Sequence, residues 1–201
     1  VRAYFLEKDP LAKDKLYMDA SEICKKIVIN HPKFKANYNE SIGDSTTKLM
    51  AAITNAPKST IPGLYWWAVN HAKYLNSKPA LERINQRELL EVIMNRVISI
   101  EPGFNFSGPY RFFGSLYTRI PGIELSQSKT YFDQALESNP EYLGNYVLMA
   151  ELYHQKAGNR EQFHQSLKKV IETNLTNHPE LMTDNFFYQQ KAKQLLENES
   201  L

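Results

Sequence analysis

The chain has 201 residues, 42% of them hydrophobic, which is typical of folded soluble proteins. Its formal charge of +2 is too small to favour a nucleic-acid-binding protein, and no apolar run approaches the roughly 20 residues that span a bilayer. Cys24 is the only cysteine, so the chain can form no internal disulfide. Aromatic residues are unusually frequent, and in a helical protein they fill the seams between helices or line a cavity.

The first 60 residues predict a helical region of low regularity. Asp9-Pro10 predicts the start of a helix, because an aspartate side chain caps free amides and proline suits the first helical position. Recurrence at three and four residues then predicts one apolar stripe along this helix. The stripe contains Leu16, Ala20, Ile23, Cys24 and Ile27. A short helix around Leu49–Ile53 and a breaker-rich connection at 55–62 follow.

Residues 61–179 predict three pairs of antiparallel helices. The helices are expected at 63–76 and 87–100, at 109–119 and 128–138, and at 139–156 and 160–173. Asn139-Pro140 is expected to start the fifth of these by the same capping logic as Asp9-Pro10, and Gly158 is expected to end it in the left-handed conformation. A last helix at about 184–196 is expected to cap the final pair. No strand-like alternation persists, so the chain is predicted to be all-α.

Four prolines close apolar, helix-patterned runs at nearly regular distances: Pro32, Pro102, Pro140 and Pro179. The steps are 70, 38 and 39 residues, and 70 is about twice 35. A repeat of roughly 34–40 residues is typical of stacked helical hairpins such as tetratricopeptide repeats. Ser128, Phe132 and Ala135 fit the small, large and small positions of such a hairpin best.

The predicted fold is therefore an all-α, right-handed solenoid of antiparallel helical hairpins with degenerate tetratricopeptide-like repeats. It is predicted to be a single helical-repeat domain over 1–201. Its expected parts are a degenerate N-terminal hairpin region at 1–60, repeat-like hairpins at 61–102, 103–140 and 141–179, and a C-terminal capping helix at 180–201.

Several stretches together resemble one protein family, the T component of TRAP transporters, the tripartite ATP-independent periplasmic uptake systems. The more specific ones are Ile-Pro-Gly-Leu-Tyr-Trp-Trp-Ala at 61–68 and Gly-Pro-Tyr-Arg-Phe-Phe-Gly-Ser-Leu-Tyr at 108–117, the second followed by Pro121-Gly122. Further matches are Leu16-Tyr17 with 23–29, 128–139 and 146–153.

The resemblance implies a non-enzymatic accessory subunit. Such a protein is a periplasmic lipoprotein with an apolar channel through each protomer, forms homo-oligomeric rings (a trimer), and partners an extracytoplasmic solute-binding protein, the P component. The expected solute is apolar, amphipathic or an organic acid. The lipid-bearing cysteine of such proteins directly follows a signal peptide, and Cys24, inside a helix stripe, fits that role poorly. Lipid anchoring is therefore expected only of the natural precursor.

The candidate ligand-binding or channel-lining residues are mostly aromatic. They are Tyr65, Trp66, Trp67, Asn70, Tyr74, Tyr110, Arg111, Phe113, Tyr117 and Tyr146. Trp66 and Trp67 lie about 100° apart on a helix, so one of them is expected to face outward or a lumen. The alternative role for these rings is a hydrophobic plug between hairpins. Arg111 either lies along the surface with its stem packed, or turns its guanidinium toward a carboxylate.

A second functional hypothesis is a general tetratricopeptide scaffold that binds an extended peptide in a concave groove. Asn70, Arg111, Asn145 and Tyr146 would then hold the peptide. The sequence contains no metal-site spacing, glycine-rich phosphate loop or nucleophile elbow, so neither a metal, a cofactor nor an enzyme activity is predicted.

Overall fold

The computed structural model describes residues 2–199, and within that range the chain forms helices joined by short loops, with no strand. The all-α fold class is confirmed. The chain divides into two compact units, the first ending at Phe104 and the second beginning at Asn105.

The first unit starts with a short π-helical segment at Arg2–Leu6. It continues through α1 (Pro10–Ile29), α2 (Pro32–Glu40), α3 (Ser45–Thr54), a 3-10 turn (Lys58–Thr60), α4 (Ile61–Leu75) and α5 (Ala80–Ile100). The predicted cap of α1 is confirmed, since the Asp9 carboxylate accepts hydrogen bonds from the amides of Leu11 and Ala12. The helix α2 is not predicted from the sequence, because Pro32 both follows one helix and occupies the first turn of the next.

A close approach of α1 and α4 organises this unit. A Cβ atom on Gly63 would lie 2.8 Å from Val28 Cγ2, so only glycine fits there without a shift. The buried residues of α1 are Tyr17, Ser21 and Val28. Two polar contacts join the first turns of α1 to the residues after α4. The Asp14 carboxylate accepts hydrogen bonds from Ser77 (2.5 Å) and Lys78 (3.2 Å).

The apolar stripe predicted along α1 is not the buried face of this helix. Ile23 and Ile27 remain 58% and 63% exposed, and Leu16, Ala20 and Cys24 are only partly buried. The close approach is at Gly63 of α4, where the missing side chain leaves room for Val28 of α1. The buried face of α1 is therefore a different face from the one with the most apolar side chains.

The second unit contains α6 (Phe104–Tyr117), α7 (Leu125–Ser138), α8 (Leu143–Leu148), α9 (Gln155–Ala157), α10 (Arg160–Glu172) and α11 (Met182–Glu199). A π-helical stretch at Met149–His154 joins α8 to α9, and 3-10 turns at Leu175–Asn177 and Pro179–Leu181 precede α11. Gly158 follows α9 with φ +70°, which confirms the predicted left-handed end.

The predicted helix start at Asn139-Pro140 is wrong. Asn139 ends α7, and the next helix begins only at Leu143. The side chain of Asn139 is used elsewhere, since its amide donates to Ser107 Oγ at 2.5 Å. The backbone carbonyl of Asn139 accepts a hydrogen bond from the side-chain amide of Asn145 at 3.0 Å. These tertiary contacts outweigh the local capping preference.

The contact between α6 and α7 uses the small–large pattern that the sequence predicts. Ser128, Phe132 and Ala135 are fully buried on α7. The Phe132 ring lies against Gly114 of α6, where a Cβ would come within 2.8 Å of it, and Ser128 Oγ donates to the Gly114 carbonyl at 2.7 Å.

Gly114→Ala is expected to lower the free energy of unfolding by about 1–3 kcal/mol, because the added methyl overpacks the site against Phe132. Gly103→Ala is the matched control, since a Cβ there meets nothing within 4 Å. Urea unfolding of both variants checks the claim. Equal midpoints for the two variants would contradict the close contact.

Candidate functional site

Five of the predicted site residues lie on α4. Tyr65 and Trp67 are buried, whereas the Trp66 side chain is 42% exposed. This confirms that the neighbouring indoles face different ways. Asn70 and Tyr74 are half-buried, and the Asn70 amide donates to the Trp66 carbonyl at 2.7 Å.

Ring contacts fix these aromatics in place. Tyr65 makes edge contacts with Trp66 (4.9 Å between ring centroids) and with Phe104 (5.1 Å). His71 stacks on Tyr74 at 6.3 Å. Burial lowers the pKa of His71, so its imidazole is neutral at pH 7. The aromatic residues of α4 are therefore packed rings, with the indole of Trp66 at their exposed edge.

A second aromatic cluster lies where α6 meets α7. Phe113 stacks on Tyr131 at 4.8 Å, and Tyr117 lies 5.5 Å from Phe113 and 5.6 Å from Tyr131. Phe113 is buried, whereas Tyr117, Tyr131 and the nearby Tyr110 are half-buried. Rings of this kind present an apolar body and a polar tip to an adjoining ligand or chain. Tyr131 is not among the predicted site residues, because the repeat pattern marks only its neighbour Phe132.

Arg111 is buried, with 5% of its surface exposed, so the expectation of an arginine lying along the surface is wrong. Its guanidinium donates to Asn145 Oδ1 (2.7 Å) and to the carbonyls of Phe106 (2.9 Å) and Asn105 (3.0 Å). It also lies 4.5 Å from the centre of the Tyr142 ring. An ionised group inside a protein needs such partners to offset its lost hydration.

The backbone that Arg111 holds is left-handed. Asn105, Phe106 and Ser107 have φ angles of 50°, 54° and 60°, a conformation that costs an ordinary L-residue roughly 1–2 kcal/mol. Phe106 stacks on Tyr142 at 5.1 Å, and Ser107 accepts the hydrogen bond from Asn139. No glycine occupies the three positions, so the sequence carries no sign of this turn.

Buried polar groups continue the network around Tyr142. Asn145 donates to the carbonyls of Ala135 (2.9 Å) and Asn139 (3.0 Å). Asn185 of α11 accepts from the Leu143 amide at 2.9 Å and donates to the Glu141 carbonyl at 3.0 Å. Burial raises the pKa of Tyr142, which keeps its hydroxyl protonated.

Tyr146, the last predicted site residue, belongs to another surface. Its hydroxyl accepts a hydrogen bond from Lys169 at 2.7 Å, and the same ammonium lies 4.2 Å from its ring centre. A shallow polar groove on α10 adjoins this pair, lined by Gln165, Lys168, Lys169, Glu172 and Thr173. The structure thus brings together Phe113 and Tyr117, and Tyr65 and Trp66, but pairs Tyr146 with a lysine of α10.

Within residues 2–199, no group of histidine, cysteine, aspartate or glutamate side chains is arranged to hold a metal ion. None of the helices described is long and apolar enough to cross a bilayer.

A comparison with family models decides the classification. The model described as TRAP transporter T-component matches residues 7–201, nearly the whole chain. The chain belongs to the TRAP transporter T-component family. Membership assigns it to TRAP transport as an accessory subunit. A comparison with curated proteins gives no match. The ligand-lining role of the ten predicted residues stays a prediction.

The left-handed turn can be tested at Asn105. Asn105→Gly is expected to be more stable than Asn105→Ala by about 1 kcal/mol, because only glycine adopts positive φ without strain. Gln134, exposed in the right-handed α7, is the control site, and there alanine is expected to be the more stable by about 1 kcal/mol. Thermal unfolding of the four variants gives both differences, and the same order at both sites would rule out a left-handed Asn105.

Proposed function

We propose that this protein is a periplasmic subunit of a TRAP uptake system that docks the solute-binding protein and holds an apolar or amphipathic solute in an aromatic-lined passage. The observation that carries this proposal is the family match over residues 7–201. Its fold, on this proposal, is a solenoid of degenerate tetratricopeptide-like hairpins, of which the α6–α7 pair is the best preserved. The natural precursor carries a lipid anchor.

The aromatic clusters support the solute-binding part. Trp66, Tyr74, Tyr110 and Tyr117 each keep part of their ring surface accessible. Apolar surface removed from water contributes about 25 cal/mol per Å², so a solute that buries roughly 200 Å² gains about 5 kcal/mol. The mechanism is passive, since shape and burial provide the affinity.

A peptide-binding scaffold receives less support. That function needs polar side chains that are available on the surface of a groove. Asn145 is fully buried, and its amide group is bound to Arg111, Ala135 and Asn139. Two of the four residues proposed to hold a peptide, Arg111 and Asn145, therefore bind each other inside the second unit.

The proposal is tested by mixing the purified protein with the solute-binding protein of its own TRAP system. Isothermal titration calorimetry is expected to show saturable binding with micromolar or tighter affinity. No heat and no comigration in gel filtration at 50 μM of each protein would count against the docking function.

The solute part has its own readout, the heat of laurate binding in isothermal titration calorimetry. Trp66→Ala is expected to weaken laurate binding at least five-fold, because it removes an accessible indole. Phe186→Ala on α11 removes another exposed ring and is expected to leave laurate affinity unchanged. Absence of laurate binding to the wild-type protein, or equal affinities for the two variants, would reject the aromatic passage at Trp66.

A further inference from the structure

One face of α1 carries aliphatic side chains that the first unit does not cover. Leu16, Ala20, Ile23 and Ile27 follow one another at intervals of four, three and four residues, and we call this set the α1 seam. Ile23 and Ile27 are more than half exposed, and Leu16 and Ala20 are partly exposed. Such a row of exposed apolar side chains marks an interaction surface.

The α1 seam is distinct from the face that packs inside the unit. Tyr17, Ser21 and Val28 are the buried residues of α1, and Val28 lies against Gly63 of α4. At about 100° per residue, the centre of the seam lies about 110° round the helix from the centre of these three residues. Ile27 Cγ2 comes within 3.9 Å of a Cβ placed on Gly63, so the seam borders the contact with α4, but more than half of the Ile23 and Ile27 surface stays outside it.

The spacing indicates the shape of the partner. Intervals of four, three and four residues form a stripe one helix wide, the geometry by which two helices pack along each other. A helix that lies in a membrane surface needs a broader apolar face. Here Asp19 lies only about 70° from the centre of the seam. A single partner helix fits this surface better than a bilayer does.

The charges beside the seam indicate the chemistry of that partner. Five lysines of α1 and α2 have no ion-pair or hydrogen-bond partner for their ammonium groups within the part of the chain that the structure describes. They are Lys13, Lys15, Lys26, Lys33 and Lys35. Of the nearby carboxylates, Asp9 caps α1, Asp14 binds Ser77 and Lys78, and Glu22 lies 3.9 Å from Lys25. Asp19 is exposed and keeps its negative charge beside the seam, but the unpaired lysines of α1 outnumber it. The surface around the seam is therefore basic, and it complements an acidic partner.

We infer that the α1 seam docks a surface helix of the TRAP solute-binding protein. That helix carries aliphatic side chains at three- and four-residue spacing and carboxylates on both flanks. The inference rests on the proposed function for the identity of the partner. The seam and its lysines define where and how that partner binds.

The test measures the affinity for the solute-binding protein by calorimetry. The double variant Ile23→Gln/Ile27→Gln is expected to weaken binding at least ten-fold and, because both side chains are exposed, to unfold at the wild-type temperature. Leu81→Gln/Ile84→Gln on α5 is the matched control, since these side chains are 66% and 44% exposed, and it is expected to change the affinity less than two-fold.

Charge gives an independent arm of the same experiment. Lys13→Glu/Lys26→Glu is expected to weaken binding at least five-fold at 50 mM salt, and the wild-type affinity is expected to fall as salt rises to 300 mM. An affinity that responds to neither change would contradict the acidic partner helix.

The outcomes separate the two proposals. If the wild-type protein does not bind the solute-binding protein, the docking function and the α1 seam inference both fail. If the wild-type protein and the seam variant bind it equally, only the seam inference fails. The inference is also overturned if the seam variant keeps receptor affinity but loses self-association in light scattering, or loses flotation with vesicles of phosphatidylcholine and phosphatidylglycerol.

Discussion

The buried guanidinium of Arg111 is the constraint on which the second unit depends. A permanently charged group is costly to remove from water, and Arg111 offsets that cost with hydrogen bonds to Asn145, Asn105 and Phe106. These bonds join α6 to α8 and hold the left-handed turn at the start of α6. Asn145 extends them to the end of α7 through the carbonyls of Ala135 and Asn139.

This arrangement bears on how the protein acts in transport. The rings of Phe113, Tyr117 and Tyr131 lie on α6 and α7. The Arg111 network holds the start of α6 and the end of α7 in place. A rigid aromatic wall favours binding by shape and burial, without ordering of side chains on binding. The guanidinium already binds three acceptors within its own unit. A solute carboxylate is therefore a less supported partner for Arg111 than these groups.

The sequence predicted features that depend on local chemistry. Asp9 caps α1 because its carboxylate reaches amides two and three residues away, and Gly158 ends α9 because only glycine takes that φ without strain. The burial of Ser128, Phe132 and Ala135 followed from their spacing. The resemblance to the family rests on short contiguous stretches rich in aromatic residues and glycine, at 61–68 and 108–117.

Features that depend on contacts distant in sequence were not predictable. The left-handed turn exists because Arg111 and Tyr142 hold it, and its three residues have no left-handed preference strong enough to be recognised. Asn139 resembles a helix cap, but its side chain binds Ser107. The apolar stripe of α1 is evident from its spacing, but the buried residues of this helix lie on another face, which includes the close approach of Val28 to Gly63. Among the site residues, Arg111 was found by its aromatic surroundings, while its internal role depends on Asn145, 34 residues away.

The central claim, that Arg111 holds the second unit together from inside, is tested most directly by urea unfolding of Arg111→Met. Methionine retains the stem but leaves three acceptors unpaired, of which Asn145 Oδ1 is buried and the carbonyls of Phe106 and Asn105 are partly buried, so the free energy of unfolding is expected to fall by about 3 kcal/mol or more. Arg160→Met, which removes an exposed arginine paired with Glu199 at 3.1 Å, is expected to change it by less than about 1 kcal/mol. Equal stabilities of Arg111→Met and Arg160→Met would contradict the account.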